Sequence, residues 1–322
     1  MSQPTLLALA CALTLVACND GPDKGSSSNT GGSGSGGSWA VGERGAMVRL
    51  DGDGDITFYP LELGDDLRAI ACKGRDQAVV AGAAGVVLTT GDAGVTWNRI
   101  DIGGAVELRA VALGDGDRGY IVGDGVALRT LDDSLSWDPL PIAAHDWTAV
   151  ATAVSGELAL LTSAAGDIFR LDDTTLTQVH AGDGSLLTGV ALTPDGDHAV
   201  AVGQAGLLLR SDDGGLTWRA ELPATTRDLH AVRIAGDNSL VLAVGQAGTV
   251  VRIAQDDTSV TELLDASLSL RALHLSTSHG HAVGDDGVMF STHDQGRSWE
   301  PIALGLETDL LGLDDLHGEP HL

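Results

Sequence analysis

Tyrosine and phenylalanine are nearly missing from this chain, at two and three residues, and aromatics of every kind make up 3% of its 322 residues. Any core must therefore be mainly aliphatic, and the 43% hydrophobic content supplies one. That content is too high for a disordered chain. Basic residues are also few, 18 Lys and Arg against 45 Asp and Glu, for a formal charge of −27. Such a surface repels phosphate backbones and excludes nucleic acid as a partner. Much of the Asp fits turn positions, where its side chain caps the backbone. Cysteine is limited to Cys11, Cys18 and Cys72. One cysteine in the globular part rules out a disulfide framework, and Cys72, following an apolar run at 67–71, reads as a buried inert thiol. A phosphate loop, a redox CxxC and a nucleophile elbow are all missing, and no histidine pair has metal-ligand spacing, so neither a cofactor nor a metal is expected.

The apolar stretch at 6–17 (LLALACALTLVA) is too short to span a bilayer and reads as a signal peptide occupying residues 1–17. Its end, Leu15-Val16-Ala17-Cys18, resembles the lipobox of bacterial lipoproteins, which implies lipidation of Cys18, although residues 1–5 carry no Lys or Arg. Residues 18–38 then form a lipidated cysteine and a Gly/Ser-rich tether with a reach of about 25 Å. The expected location is outside the cytoplasm, anchored to an envelope membrane, periplasmic or surface-facing.

Residues 39–322 repeat. An apolar-Gly-x-x-Gly phrase recurs with its leading position at Gly42, Gly82, Gly123, Ser163, Gly203, Gly245 and Gly284, spaced 40, 41, 40, 40, 42 and 39 residues apart. A period near 40 with strand-like content predicts propeller blades. Each repeat divides into four short β-like runs, in the third at 108–113, 119–122, 126–130 and 137–140. Before the fourth run stands Ser/Thr-x-Asp-x-Gly-x-Thr/Ser-Trp, complete around Asp92 and Trp97, Asp213 and Trp218, and Asp294 and Trp299. Around Asp132 and Trp137 a serine, Ser134, replaces the glycine. Three eroded copies align as Asp53 with Thr57, Asp173 with Thr177 and Asp257 with Thr261. The Asp carboxylate can cap the turn, Gly supplies positive φ and Trp packs beneath, so the phrase is a folding device without a catalytic role.

The phrase resembles the Asp box, or bacterial neuraminidase repeat. With the period and the AVGxxG phrase, the chain is similar over about residues 39–315 to propellers of the photosystem II assembly-factor family. The first repeat lacks a leading strand, and 309–313 (DLLGL) matches one. The expected fold is therefore all-β: seven four-stranded blades, with the C-terminal strand completing blade one and closing the ring. The resemblance implies a non-catalytic binding or assembly scaffold, monomeric, whose partner is another protein or an envelope complex.

The alternative is a glycan-binding or sialidase-like propeller. Only Tyr59 and Tyr120 could serve as its nucleophile, and Tyr120 sits where core packing is expected. Asp51, Asp53, Asp55 and Glu62 have calcium-loop spacing, but Ile56 occupies the position that needs Gly, so a turn of blade one is the better reading. His279 and His281 are expected in a solvated loop. Leading strands of propeller blades line the central channel, and their early positions hold Arg68, Arg109, Thr148, Thr188, His230, Arg271 and Leu311. Arg68, Arg109, His230 and Arg271 then form a cationic arc able to bind an anion or acidic partner, unless acids such as Asp66 and Glu107 pair with them. A second series, Arg49, Arg129, Arg170, Arg210 and Arg252, precedes the turn phrase in five repeats and predicts blade-to-blade contacts.

Overall fold

The computed structural model describes residues 37–315 apart from 52–53, 60, 62, 222–224, 236–237, 255–257 and 277–278. Cys18, the signal and tether through residue 36, Asp53, Glu62 and Asp257 lie outside the described residues.

Seven antiparallel four-stranded sheets form a seven-bladed β-propeller, with single turns of 3-10 helix as the helical content of the described residues. The innermost strands, from blade one to blade seven, are Leu310–Asp315, Leu67–Lys73, Leu108–Leu113, Trp147–Thr152, Leu187–Leu192, Leu229–Ile234 and Leu270–Leu275. Each touches the next around a closed ring. Blade one joins both ends of the described chain, since Leu310–Asp315 pairs antiparallel with Ser38–Gly42. The orphan strand of the sequence thus fills the place left by the incomplete first repeat.

Second strands such as Leu240–Gly245 are buried along their whole length, because blades pack on both faces of each sheet. They read as unbroken apolar runs for that reason. Seven hydrophobic clusters result, each drawing on two adjacent blades.

The leading glycine of six repeats is explained by crowding; the fourth has Ser163 in its place. A Cβ on Gly82 would lie 2.3 Å from the carbonyl oxygen of Asp66, and one on Gly123 would lie 1.9 Å from that of Glu107. In these six blades the end of the second strand abuts the start of the first too closely for a side chain.

The four turn phrases share one geometry. Asp92 accepts from the Thr96 amide at 2.8 Å and the Thr96 hydroxyl at 2.6 Å, while Thr90 Oγ1 accepts from the Gly94 amide at 3.0 Å. Asp132, Asp213 and Asp294 make the equivalent bonds. These hydrogen bonds hold the Asp213 and Asp294 carboxyls down at about 2, and those of Asp92 and Asp132 below their usual range. Gly94 has φ +83°, and a Cβ there would meet the Trp39 ring of blade one at 2.3 Å. Ser134 adopts φ +68° in the same place.

Four turns, in blades two, four, five and seven, also receive an arginine from the preceding blade. Arg49 donates to the carbonyl of Ala93 at 3.0 Å, Arg129 to Asp173 at 3.3 Å, Arg252 to Gln295 at 3.1 Å, and Arg170 to Gly214. Four of the five arginines of the second series therefore stitch blade to blade, while Arg210 pairs with Asp212 of its own blade at 3.4 Å.

Strand register corrects the alignment of the eroded repeats. Thr57 and Thr177 lie in outermost strands opposite Arg49 and Arg170, and Thr261 lies opposite Val251. None closes a turn. The residues standing where intact repeats place Trp are Ile56, Leu176 and Ser259, opposite Leu50, Leu171 and Ile253. The turns are shorter, so counting from Asp shifted the assignment.

A second correction concerns His281, which is buried in the strand Gly280–Gly284 and not solvated. Its Nδ1 lies 2.8 Å from Ser38 Oγ, and burial lowers its pKa to about 4. Next to it, His274 is held between Asp314 at 2.9 Å and Asp315 at 3.3 Å. His279 also reaches Asp315, at 3.4 Å. This polar group sits at the seam where the ring closes. Burial, followed by Asp314 and Asp315, raises the Cys72 thiol well above its ordinary value, which agrees with an inert role.

Candidate functional site

One mouth of the channel is built by a repeated irregularity. In every blade the pairing of the first two strands skips one residue: Arg68, Arg109, Thr148, Thr188, His230, Arg271 and Leu311. These are the seven positions picked from the sequence. A bulge re-aims the side chain of the extra residue, here toward the axis. All seven line one cavity of about 540 Å³, together with Asp124, Asp146, Ala164 and Leu186.

The arc of cations is an arc of ion pairs. Arg68 bonds Glu107 and lies 3.6 Å from Asp66. Arg109 makes a two-pronged contact with Asp124 at 2.7 and 3.1 Å, and Arg271 bonds Asp285 at 2.7 Å. Hydrogen bonding to Arg109 holds Asp124 below the usual carboxylate range. Burial pushes the Asp285 carboxyl up, but the bonds from Arg271 and the Ser269 amide outweigh it and hold the group low. Burial also lowers His230, whose Nδ1 lies 2.8 Å from the Leu270 carbonyl oxygen, so the ring is neutral near pH 7. Thr188 donates to the Leu229 carbonyl at 2.5 Å.

Asp124 and Asp285 were not singled out from the sequence, yet both directly follow the leading glycine of their repeats, Gly123 and Gly284. That position projects to the mouth, and the phrase could have revealed it. The site offers guanidinium groups already oriented by carboxylates, in a wide polar funnel. Neither Tyr59 nor Tyr120 lines it. Tyr120 is fully buried and donates to the Gly156 carbonyl at 2.7 Å, while Tyr59 packs on Trp39 at 4.7 Å between ring centroids. Among the described residues no group of His, Cys, Asp or Glu is arranged to hold a metal ion.

No protein-family model matches the chain, and no curated protein matches it. Several solved structures share its fold. YCF48 bound to a D1 peptide superposes with a TM-score of 0.61 at 17% identity, over 77% of this chain and 91% of that one. YCF48 from Cyanidioschyzon merolae gives 0.61 at 17% identity, over 77% and 88%. The β-propeller domain of Cps50 (Swd1) from Myceliophteria thermophila gives 0.62 at 11% identity, over 75% and 87%. The chain is thus similar in fold to propellers of different character, and fold alone does not assign function.

Proposed function

We propose that this protein is a non-catalytic, lipid-anchored scaffold of the bacterial cell envelope that binds a protein partner at the channel mouth. The observation that carries the reading is the bulge repeated in all seven blades, which turns one side chain per blade toward a common cavity. A partner seated over the axis engages several blades at once and finds Arg68, Arg109 and Arg271 held ready by their acids. The likeness to a propeller described as bound to a peptide supports a peptide segment as the docking element. The four intact turns fit the Asp-box reading.

Ser38 pairs with Leu50 and Asp315, at the strand ends opposite the mouth. The glycan-processing alternative has little to work with, because both tyrosines are engaged in packing.

Two experiments test this. Cys18→Ala should release the protein from membranes; equal membrane association of both forms removes the anchor. Capture from envelope extracts should yield a stoichiometric partner that Arg68→Gln/Arg109→Gln/Arg271→Gln fails to retain, with affinity falling as salt rises. Turnover of sialosides that depends on the same arginines would overturn the scaffold reading.

A further inference from the structure

A second cavity, unrelated to the mouth, lies between blades five and six. Its origin can be traced by comparing the seven blade interfaces. Intact repeats insert a Trp from the following blade: Trp97, Trp137, Trp218 and Trp299 pack against the clusters between blades one and two, two and three, four and five, and six and seven. Eroded blades one and four carry Ile56 and Leu176 at that position, and both pack inward. Blade six carries Ser259 there.

The preceding blade contributes a second filler from the end of its outermost strand. Tyr59, Ile100, Leu140 and Ile302 play this part in blades one, two, three and seven. In blade five the corresponding residue is Glu221, whose amide bonds the Leu208 carbonyl as that of Leu140 bonds Ala127. The interface between blades five and six thus has polar residues at both filling positions. Its cluster of Ala, Val, Leu and Ile has neither an aromatic nor a methionine, unlike the other six.

The result is a cavity of about 280 Å³ lined by Val200, Leu208, Leu229, Val241, Val251 and Ile253, with Arg210, Glu221, Thr225 and Ser259 as polar members. A cavity of about 150 Å³ with apolar walls is already enough to bind benzene. Here the sister interfaces show which shape completes the packing: an indole ring. Glu221 lines the cavity and is ion-paired with Arg219, whose Nη1 lies 2.6 Å from its Oε1. Arg210 belongs to the arginine series in which Arg49 lies over the Trp39 ring at 5.6 Å.

We propose that this interface is a binding site for a small planar aromatic molecule bearing an N–H donor, of the indole or arylamine class, with the ring between the aliphatic walls and the N–H directed to Glu221. The proposal is independent of the channel mouth and of any partner there.

The test uses the full-length protein with indole and tryptamine as probes. Both should raise Tm saturably and give saturation-transfer NMR signals, as expected for a ligand that binds only the folded state. Ser259→Trp should raise Tm without ligand and abolish both responses. Ser259→Leu, copying blade four, provides a smaller filler should the tryptophan fail to fold, and should weaken binding at least tenfold. Glu221→Gln should weaken tryptamine more than indole. The proposal is overturned if neither probe binds, or if binding persists at wild-type strength in the filled variants. Mouth variants at Arg68 and Arg271 should leave probe binding unchanged, which keeps the two sites distinguishable.

Discussion

Nδ1 of His274 lies 2.9 Å from Oδ1 of Asp314, joining the inner strand of blade seven to the C-terminal strand that completes blade one. His274 also faces Asp315 at 3.3 Å, and all three groups are largely removed from water. Removing the imidazole leaves two carboxylates buried at the seam, so His274→Leu should cost about 3–5 kcal/mol of stability. Chemical denaturation checks this.

The same contact predicts a pH dependence. Burial alone would lower the pKa of His274, but Asp315 and Asp314 outweigh it and raise the value above its usual 6.5. A raised folded-state pKa contributes stability fully present below about 6.5 and lost as pH rises through the folded value. The Tm difference between wild type and His274→Leu should therefore shrink on the alkaline side. His281 acts oppositely: with its pKa lowered to about 4, its contribution is lost as pH falls from about 6.5 toward 4. An unchanged Tm difference across the alkaline window would contradict this account, and the same comparison with His281→Leu checks the acid window.

Deleting residues 310–322 removes the inner strand of blade one and exposes the unpaired edge of Ser38–Gly42. The expected outcome is loss of the single cooperative unfolding transition and aggregation at the open edge. Calorimetry and light scattering report both.

Asp213 and Asp294 fasten exposed turns, so replacing either with Ala should lower Tm modestly, whereas Trp137→Ala, which empties a buried position, should cost about 3–5 kcal/mol. Since both carboxyls are depressed to about 2, their contribution is complete above about 4 and disappears as pH falls through 2. Acid titration of wild type against Asp294→Ala should show the two curves converging in that window.

Arg68→Gln/Arg271→Gln should change stability by at most about 1 kcal/mol per pair, because these side chains remain 32% and 38% exposed. Partner retention should fall far more than Tm. A double variant that unfolds readily would make these arginines structural and remove the mouth from consideration as a binding site.

The period near 40, the four intact turns and the stray C-terminal strand were enough to define seven blades, because each blade is encoded locally by its own strand and turn signals. The channel-lining positions were legible for the same reason: one register rule holds in every repeat. Their electrostatic state was not. Whether Arg109 is free or clasped by Asp124 depends on an inner strand and the turn after the second strand, brought together only when the blade folds. The eroded repeats misled because a turn shortened by one or two residues keeps its Asp and Thr letters while moving them into a strand. Likewise, nothing local in Ser259 or Glu221 announces a cavity. It exists because two outermost strands from neighbouring blades meet with polar residues where their sisters carry tryptophan, isoleucine or leucine, and that meeting is a property of the closed ring alone.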